Sequence, residues 1–217
     1  MKYKGTVWQL LILAELGADP EDSRVKRAIE FILRISQAPD NGGFSTEYGK
    51  KSGAGLPSKV IPCLTGNMTW ALIKLGYLED ERVQASIGWI VKNQRADDGD
   101  KPKLPDWEYE NRYACFSRHT CFMGIVKSLK ALASIPEGQR SDAVRNKIDE
   151  LVEFILIHHI FRRSHNLEKE SKPGWKRLGF PLMYQTDLLE ILEILIDLDV
   201  KDKRMNEAMN FLKGKQT

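Results

Sequence analysis

The chain has 217 residues, of which 42% are hydrophobic and 29% are charged, a composition typical of a folded globular protein that excludes a largely disordered one. Its net charge of +3 gives no general preference for nucleic acid, and no stretch approaches the roughly twenty apolar residues of a transmembrane segment. We therefore expect neither nucleic-acid binding nor a transmembrane segment, and peripheral membrane contact stays open. The odd number of cysteines, three, favours a reducing, cytoplasmic compartment without a structural disulfide.

The first two units of the chain share one pattern, an apolar helix followed by a short turn and an amphipathic helix. The first unit has TVWQLLILAELG at 6–17 and an amphipathic helix that ends at Gln37. The second has CLTGNMTWALIKLG at 63–76 and a helix that ends at Gln94. Each apolar helix ends in a glycine, which supplies the left-handed residue that commonly follows a helix. This repeat of about sixty residues predicts an all-α protein made of helical hairpins.

The third and fourth units follow the same order. One apolar helix is predicted from His119, with a partner that ends at His159, and the last is predicted from Tyr184. The apolar helices are hydrophobic nearly all round, which is typical of helices buried on both sides, whereas their partners have one polar face. We therefore predict about four hairpins in a single domain over 1–217, with inner and outer helices. The loops that lead into the inner helices meet at one end, where functional residues are expected.

The sequence AIEFILRISQAPDNGGF, in which an outer helix ends at Gln37 and a glycine turn leads to Phe44, resembles the repeat of squalene cyclases. SIGWIVKNQRADDG resembles the first half of that repeat. The resemblance implies an α/α toroid of the terpenoid-cyclase and protein-prenyltransferase superfamily, with a central cavity for a small apolar or isoprenoid ligand. The last unit stops inside the motif, so we expect a partial toroid that is incomplete at both ends.

Two predicted inner-helix starts resemble the zinc site of protein prenyltransferase β-subunits, in which a Cys begins one helix and His-Thr-Cys begins the next. Cys63 and His119 fall at matching places, and Ile61 stands where that family has a zinc-ligating Asp. Cys115 lies four residues before His119, so an early helix start would put both on one face. With Cys115 in place of the missing Asp ligand, Cys63, Cys115 and His119 would hold Zn²⁺ with an open fourth position. The alternative, small buried cysteines and a hydrogen-bonded interior histidine, is the commoner role of such residues.

Acidic residues offer a second type of catalytic group. The Asp-x-Asp-Asp acid with which squalene cyclases begin their reaction does not occur in this chain. The nearest cluster, Asp97, Asp98 and Asp100, lies in a glycine-containing turn after an outer helix and is predicted to be solvated.

Three residues at the inner-helix starts are candidate catalytic residues: Asp187, Tyr184 and His119. A carboxylate at the start of an apolar helix needs a partner. Asp187 is therefore expected to cap its helix, to pair with Arg118 or Arg177, or to ligate a metal beside His119. Tyr184 would line an isoprenoid pocket, although aromatic residues at helical spacing more often belong to the core.

The segment 158–184 is basic and aromatic and leads into the fourth inner helix. Guanidinium and ammonium groups bind phosphate oxygens well, so this segment is a candidate diphosphate site, with a solvated connector as the alternative. The candidate anion-binding residues are Arg162, Arg163, Lys176 and Arg177.

Two functions of different classes fit these features. An enzyme of the cyclase or prenyltransferase kind would act on an apolar substrate in the central cavity. A noncatalytic helical-repeat module would instead bind a ligand or protein in its concave face. Convergence of Cys63, Cys115 and His119 would favour the enzyme, and dispersed side chains would favour the module. The sequence leaves the oligomeric state open.

Overall fold

The computed structural model describes residues 5–99, 115 and 119–215. This part of the chain is mainly α-helical, as predicted, and contains eight α-helices together with two short β-hairpins. The helices are α1 Thr6–Glu15, α2 Ser23–Ile35, α3 Pro62–Lys74, α4 Glu81–Asn93, α5 Phe122–Ala133, α6 Asp142–Ile157, α7 Leu188–Asp197 and α8 Asn206–Lys213.

The helices form four hairpins with an inner and an outer member. The inner helices α1, α3, α5 and α7 contact one another in chain order, and each also contacts the outer helix that follows it. Every residue of α3 except Lys74 is buried, because α3 packs against α1, α4 and α5. In contrast, α7 leaves Leu189 and Ile196 exposed. The prediction that inner helices are buried on both sides is therefore correct for α3 and wrong for α7.

Two glycines allow α3 and α5 to lie unusually close together. A Cβ atom at Gly66 of α3 would stand 2.4 to 2.6 Å from backbone atoms of Lys127 and Ser128 in α5. A Cβ atom at Gly124 of α5 would stand 2.9 Å from the Cβ of Pro62 at the start of α3. The N-terminal ends of α3 and α5 are therefore neighbours.

A buried ion-pair network joins three of the inner helices. Both carboxylate oxygens of Glu190 on α7 accept from the Lys127 ammonium group at 2.7 Å, and Lys130 of α5 lies 3.1 Å from one of them. Lys130 also binds Glu15 of α1 at 2.7 Å. Burial alone would raise the pKa of Glu190, but the two lysines outweigh it and hold that pKa below its ordinary value. The network therefore keeps a charged carboxylate inside the molecule.

Ion pairs also join neighbouring outer helices. Asp80 caps α4 by accepting from the backbone N–H of Arg82, and the Arg82 guanidinium donates to both carboxylate oxygens of Glu30 on α2 at 2.8 Å. Before α8, Arg204 binds both oxygens of Glu153 on α6 at 2.8 and 3.0 Å. Each of these outer-helix ion pairs joins an arginine at or just before the start of one outer helix to a glutamate on the preceding outer helix.

Two antiparallel β-hairpins lie in the loops that follow α2 and α6. β1 Tyr48–Gly49 pairs with β2 Ala54–Gly55, and β3 Arg162–Arg163 pairs with β4 Asn166–Glu170. The all-α prediction did not include them. Within the described part of the chain, no helix combines the length and apolar character needed to cross a bilayer.

Candidate functional site

Three cysteines gather where α3 and α5 begin. Cys63 is buried and follows Pro62 in the first turn of α3, while Cys121 is the N-cap residue of α5. Cys115 lies in a turn before α5 and packs against the hydrophobic core. We call Cys63, Cys115 and Cys121 the thiol cluster. It contains two of the predicted zinc ligands, Cys63 and Cys115, together with Cys121, which was not among the predicted ligands.

Burial and hydrogen bonds within the thiol cluster raise the pKa values of Cys115 and Cys121. Hydrogen bonding with Cys121 lowers the pKa of Cys115, but hydrogen bonding with Cys63 and burial raise it more, to about 12. The pKa of Cys121 is also raised, first by its hydrogen bond with Cys115 and then by burial. The Lys172 ammonium group acts in the opposite direction on both thiols without reversing the shift. Cys115 and Cys121 therefore stay protonated at neutral pH.

His119 does not belong to a helix. It forms an antiparallel bridge with Asp98, and the backbone N–H of Thr120 donates to the carbonyl of Asp97 at 3.1 Å. This pairing keeps the chain extended, so that α5 begins only at Phe122. The prediction of a helix from His119, with Cys115 on the same face, is therefore wrong.

Three histidines surround Asp98, and we call Asp98, His119, His158 and His165 the histidine cluster. Nδ1 of His119 and Nε2 of His158 lie 3.8 and 3.4 Å from Oδ1 of Asp98. Nε2 of His165 lies 3.1 Å from Oδ2, which also accepts a short hydrogen bond from the Ser164 hydroxyl. The four residues come from the loops after α4, before α5 and after α6, so the cluster lies at the end where inner helices begin.

His158 is the most firmly held member of the histidine cluster. It follows the last residue of α6 and is buried, with Nδ1 placed 2.8 Å from the carbonyl oxygen of Phe154. Its ring contacts those of Phe122 and Phe154, at centroid distances of 5.2 and 4.4 Å. Nδ1 therefore carries the hydrogen that the carbonyl accepts, and the other ring nitrogen faces Asp98.

Asp97 and Asp98 are not the solvated pair that the sequence predicted. Asp97 is buried, and its Oδ2 pairs with Nε of Arg95 at 2.5 Å. Its Oδ1 is buried without a hydrogen-bond partner among the described residues. Asp98 has 18% of its side chain exposed and carries the histidine contacts. Asp100, the third member of the predicted group, lies outside the described residues.

Asp187 caps α7. Its Oδ1 accepts from the backbone N–H of Glu190 and its Oδ2 from that of Gly179, both at 3.0 Å, so each carboxylate oxygen has a backbone partner. Of the roles considered for Asp187, the structure places it in the cap, and Arg118 lies outside the described residues. Tyr184 is partly exposed before α7, with its ring 6.1 Å from that of Trp8.

Three of the four predicted anion-binding residues have carboxylate or carbonyl partners within the protein. Arg162 pairs with Glu207 of α8, and Lys176 lies 2.8 Å from Glu170 of β4. Nε of Arg163 donates to the backbone carbonyl of Glu170 at 3.2 Å, whereas Arg177 is exposed. Two of the four charges are thus already balanced by acidic side chains.

The predicted zinc ligands are distributed over the two clusters. Cys63 and Cys115 lie in the thiol cluster, and His119 lies against Asp98 in the histidine cluster. In residues 5–99, 115 and 119–215, no three His, Cys, Asp or Glu side chains are arranged to hold a metal ion in the conformation observed. The thiol cluster nevertheless has the donor type that zinc prefers, because Cys121 supplies a third cysteine sulfur.

The family resemblance of the repeats has no independent support outside the chain. Comparison of the sequence and structure with protein-family models, curated proteins and solved structures finds no match.

Proposed function

We propose that this protein is a squalene-cyclase- and prenyltransferase-like enzyme of the α/α-toroid type that holds Zn²⁺ in the thiol cluster. The observation that carries the proposal is the gathering of Cys63, Cys115 and Cys121 at two adjacent inner-helix starts. Cytoplasmic location fits three reduced cysteines. The succession of inner helices, each contacting the next, supports a partial toroid.

Zinc suits the thiol cluster because thiols in a poorly hydrated site lose their protons to solvent more readily when a cation binds the resulting thiolates. The same burial that raises the pKa of Cys115 and Cys121 stabilises a metal-bound thiolate relative to an isolated one. Three cysteine ligands would leave a fourth position, at which a zinc ion activates a substrate thiol or water. The protein residues position this site through the close packing of Gly124 on Pro62.

An apolar substrate fits the surface beside these helix starts. The segment that leads into α7 exposes Leu178, Phe180 and Tyr184, and Phe180 has 69% of its surface accessible. Exposed aromatic and aliphatic side chains next to a polar site are typical of surfaces that bind an apolar chain or contact a membrane. The ligand class we propose is therefore isoprenoid.

The alternative, a noncatalytic binding module, is favoured by the separation of His119 from Cys63 and Cys115 and also by a different surface. A groove of about 470 Å³ lies between α4 and α6, and it includes the apolar side chains of Ile87, Val91 and Val144. This groove involves the outer helices, away from the thiol cluster. A protein partner bound there would make the hairpins a scaffold.

Elemental analysis of the purified full chain, prepared without chelator, tests the enzyme proposal. We expect at least one zinc per chain in the wild type, and loss of about one zinc in Cys63→Ser, Cys115→Ser and Cys121→Ser. His159→Asn is the matched control and should keep all of its zinc, because His159 belongs to neither cluster. Circular dichroism of each variant verifies that it is folded.

The opposite results are equally informative. A wild-type chain without zinc would overturn the metal proposal and favour the binding module. Zinc that is lost in His119→Gln but kept in Cys121→Ser would return the site to Cys63, Cys115 and His119. If zinc is present, incubation with prenyl diphosphates and small thiols then tests the isoprenoid substrate class, and failure of any isoprenoid to bind would contradict that class.

A further inference from the structure

We propose that the histidine cluster is a second divalent-cation site, which binds ions such as Zn²⁺, Co²⁺ or Ni²⁺ through nitrogen and oxygen donors. Its ligands are Asp98, His119, His158 and His165. The inference does not rest on the proposed function, because none of these residues belongs to the thiol cluster.

The hydrogen bonding of His158 calls for a positive charge beside Asp98. Nδ1 of His158 donates its hydrogen to the carbonyl of Phe154 at 2.8 Å, so Nε2 of the neutral ring has only a lone pair. That lone pair faces Oδ1 of Asp98 at 3.4 Å. Two acceptors face each other in this way only when a proton or a metal ion lies between them.

The arrangement of His158 is also typical of histidine ligands. Such a ring commonly donates one N–H to a backbone carbonyl, which fixes its tautomer and aims the other nitrogen at the metal. The Ser164 hydroxyl does the same for the carboxylate, because it donates to Oδ2 of Asp98. Both groups are thus oriented by neighbours that would not themselves bind the ion.

The separations of the donor atoms match those of atoms that share one cation. Ligands about 2.0 to 2.1 Å from a tetrahedral zinc ion lie roughly 3.4 Å from one another. The three histidine nitrogens lie 3.1, 3.4 and 3.8 Å from carboxylate oxygens of Asp98. These distances bring each histidine within reach of an ion bound to Asp98.

The histidine cluster contains two largely buried side chains and two exposed ones. The side chains of His158 and Asp98 are 6% and 18% exposed, whereas those of His119 and His165 are 63% and 64% exposed. The four side chains do not yet surround one point. The proposed coordination therefore requires His119 and His165 to rotate towards an ion held by Asp98 and His158.

Cobalt binding to the full chain tests the proposal, because thiolate ligands give Co²⁺ a strong near-ultraviolet absorption that nitrogen and oxygen ligands do not. The parent for this test is Cys63→Ser/Cys121→Ser, which removes most of the thiol cluster. We expect it to bind one Co²⁺ without thiolate absorption. Adding His165→Gln or Asp98→Asn should weaken this binding by at least about tenfold. His165 is exposed, so its variant is expected to fold even if Asp98→Asn does not.

His159→Asn is the matched control, since His159 neighbours His158 but is not part of the cluster, and Asn tolerates its positive φ of 43°. Its Co²⁺ affinity should equal that of the parent. The proposal is overturned if the parent binds no Co²⁺, or if His165→Gln and Asp98→Asn bind it as tightly as the parent does. Absence of thiolate absorption in the wild type would contradict only the zinc site of the thiol cluster.

Discussion

Cys115 and Cys121 resist ionisation because each thiol has another thiol and little water beside it. Since the nucleophile is the thiolate, their reactivity should be low while the chain is folded. We expect iodoacetamide at pH 8 to alkylate both residues at least about tenfold more slowly in the metal-free folded chain than in urea. As the pH is raised, the alkylation rate of Cys115 should keep increasing until the pH approaches the pKa of this thiol, about 12. Peptide mass spectrometry measures each rate.

Cys63→Ser supplies a control for this assignment. Cys63 is one of the groups that raise the pKa of Cys115, so its removal should speed alkylation of Cys115 in the folded chain. Equal rates in the folded wild type and in urea would show that the thiols are not protected in the way we describe.

The sequence predicted part of the site at the level of single residues. Capping by Asp187 was among the roles that its position suggested, because a carboxylate at the start of an apolar helix has few other uses. The histidine cluster was missed, since Asp98 and His158 are separated by a complete hairpin and neither has a local pattern that reveals the contact. Its only sequence signal was the number of histidines in 158–165.

At the scale of elements, the closest helix contact depends on Gly66. A methyl group there would collide with backbone atoms of Lys127, which cannot move away independently of α5. We expect Gly66→Ala to lower the free energy of unfolding by about 1–3 kcal/mol, or more if α5 must shift. Urea denaturation monitored by circular dichroism measures the change.

Gly88→Ala is the matched control on α4. Gly88 is exposed, and a Cβ atom there would meet nothing within 4 Å. Because alanine is the better helix former, this substitution should stabilise the chain by up to about 1 kcal/mol. If both substitutions had the same effect, the close contact of α3 and α5 would not be the reason for glycine at position 66.

Helix ends were easier to predict than helix beginnings. Gly17 and Gly76 have φ values of +65° and +83° just after α1 and α3, as their positions in the repeat predicted. The start of α5 was placed too early, because the bridge between Asp98 and His119 holds that segment in an extended form. Such a bridge joins distant segments, so hydrophobic periodicity gives no sign of it.

At the scale of the whole molecule, the inner helices depend on Glu190. Glu190→Gln would leave the fully buried Lys127 without its counter-charge, and we expect a loss of about 3–5 kcal/mol in the free energy of unfolding at pH 7. Lys127→Met should cost less, because Lys130 still pairs with Glu190 at 3.1 Å. Urea denaturation of both variants shows which one loses more free energy of unfolding. An equal loss in the two variants would contradict this account.

The same network gives stability a defined pH dependence. The pKa of Glu190 is lower in the folded chain than its ordinary value of 4.5, because Lys127 and Lys130 outweigh the effect of burial. Its contribution is therefore complete above pH 4.5 and is lost as the pH falls through the lowered value. Thermal unfolding between pH 7 and pH 3 should show this loss in the wild type, and Glu190→Gln should lack the corresponding component.

The number and order of the hairpins followed from the repeat, whereas this network did not. Lys127 and Glu190 stand on apolar helices 63 positions apart, and the sequence alone does not reveal that each is the other's partner. The two β-hairpins were missed because three of their four strands have only two residues, and the five-residue β4 has no buried face that would show an alternating pattern.

The outer-helix ion pairs have a consequence for how the order of the hairpins is encoded. Arg82 with Glu30 and Arg204 with Glu153 are chemically the same contact, so an exchange of segments 80–93 and 202–213 would preserve both. Such contacts hold adjacent outer helices together but do not determine which outer helices are adjacent. That information resides in the inner helices, where only Gly66 fits the backbone at Lys127 and only α7 supplies Glu190. A chain rebuilt from shuffled hairpins would therefore keep its outer-helix ion pairs. It would lose the close contact at Gly66 and the ion pair of Lys127 with Glu190.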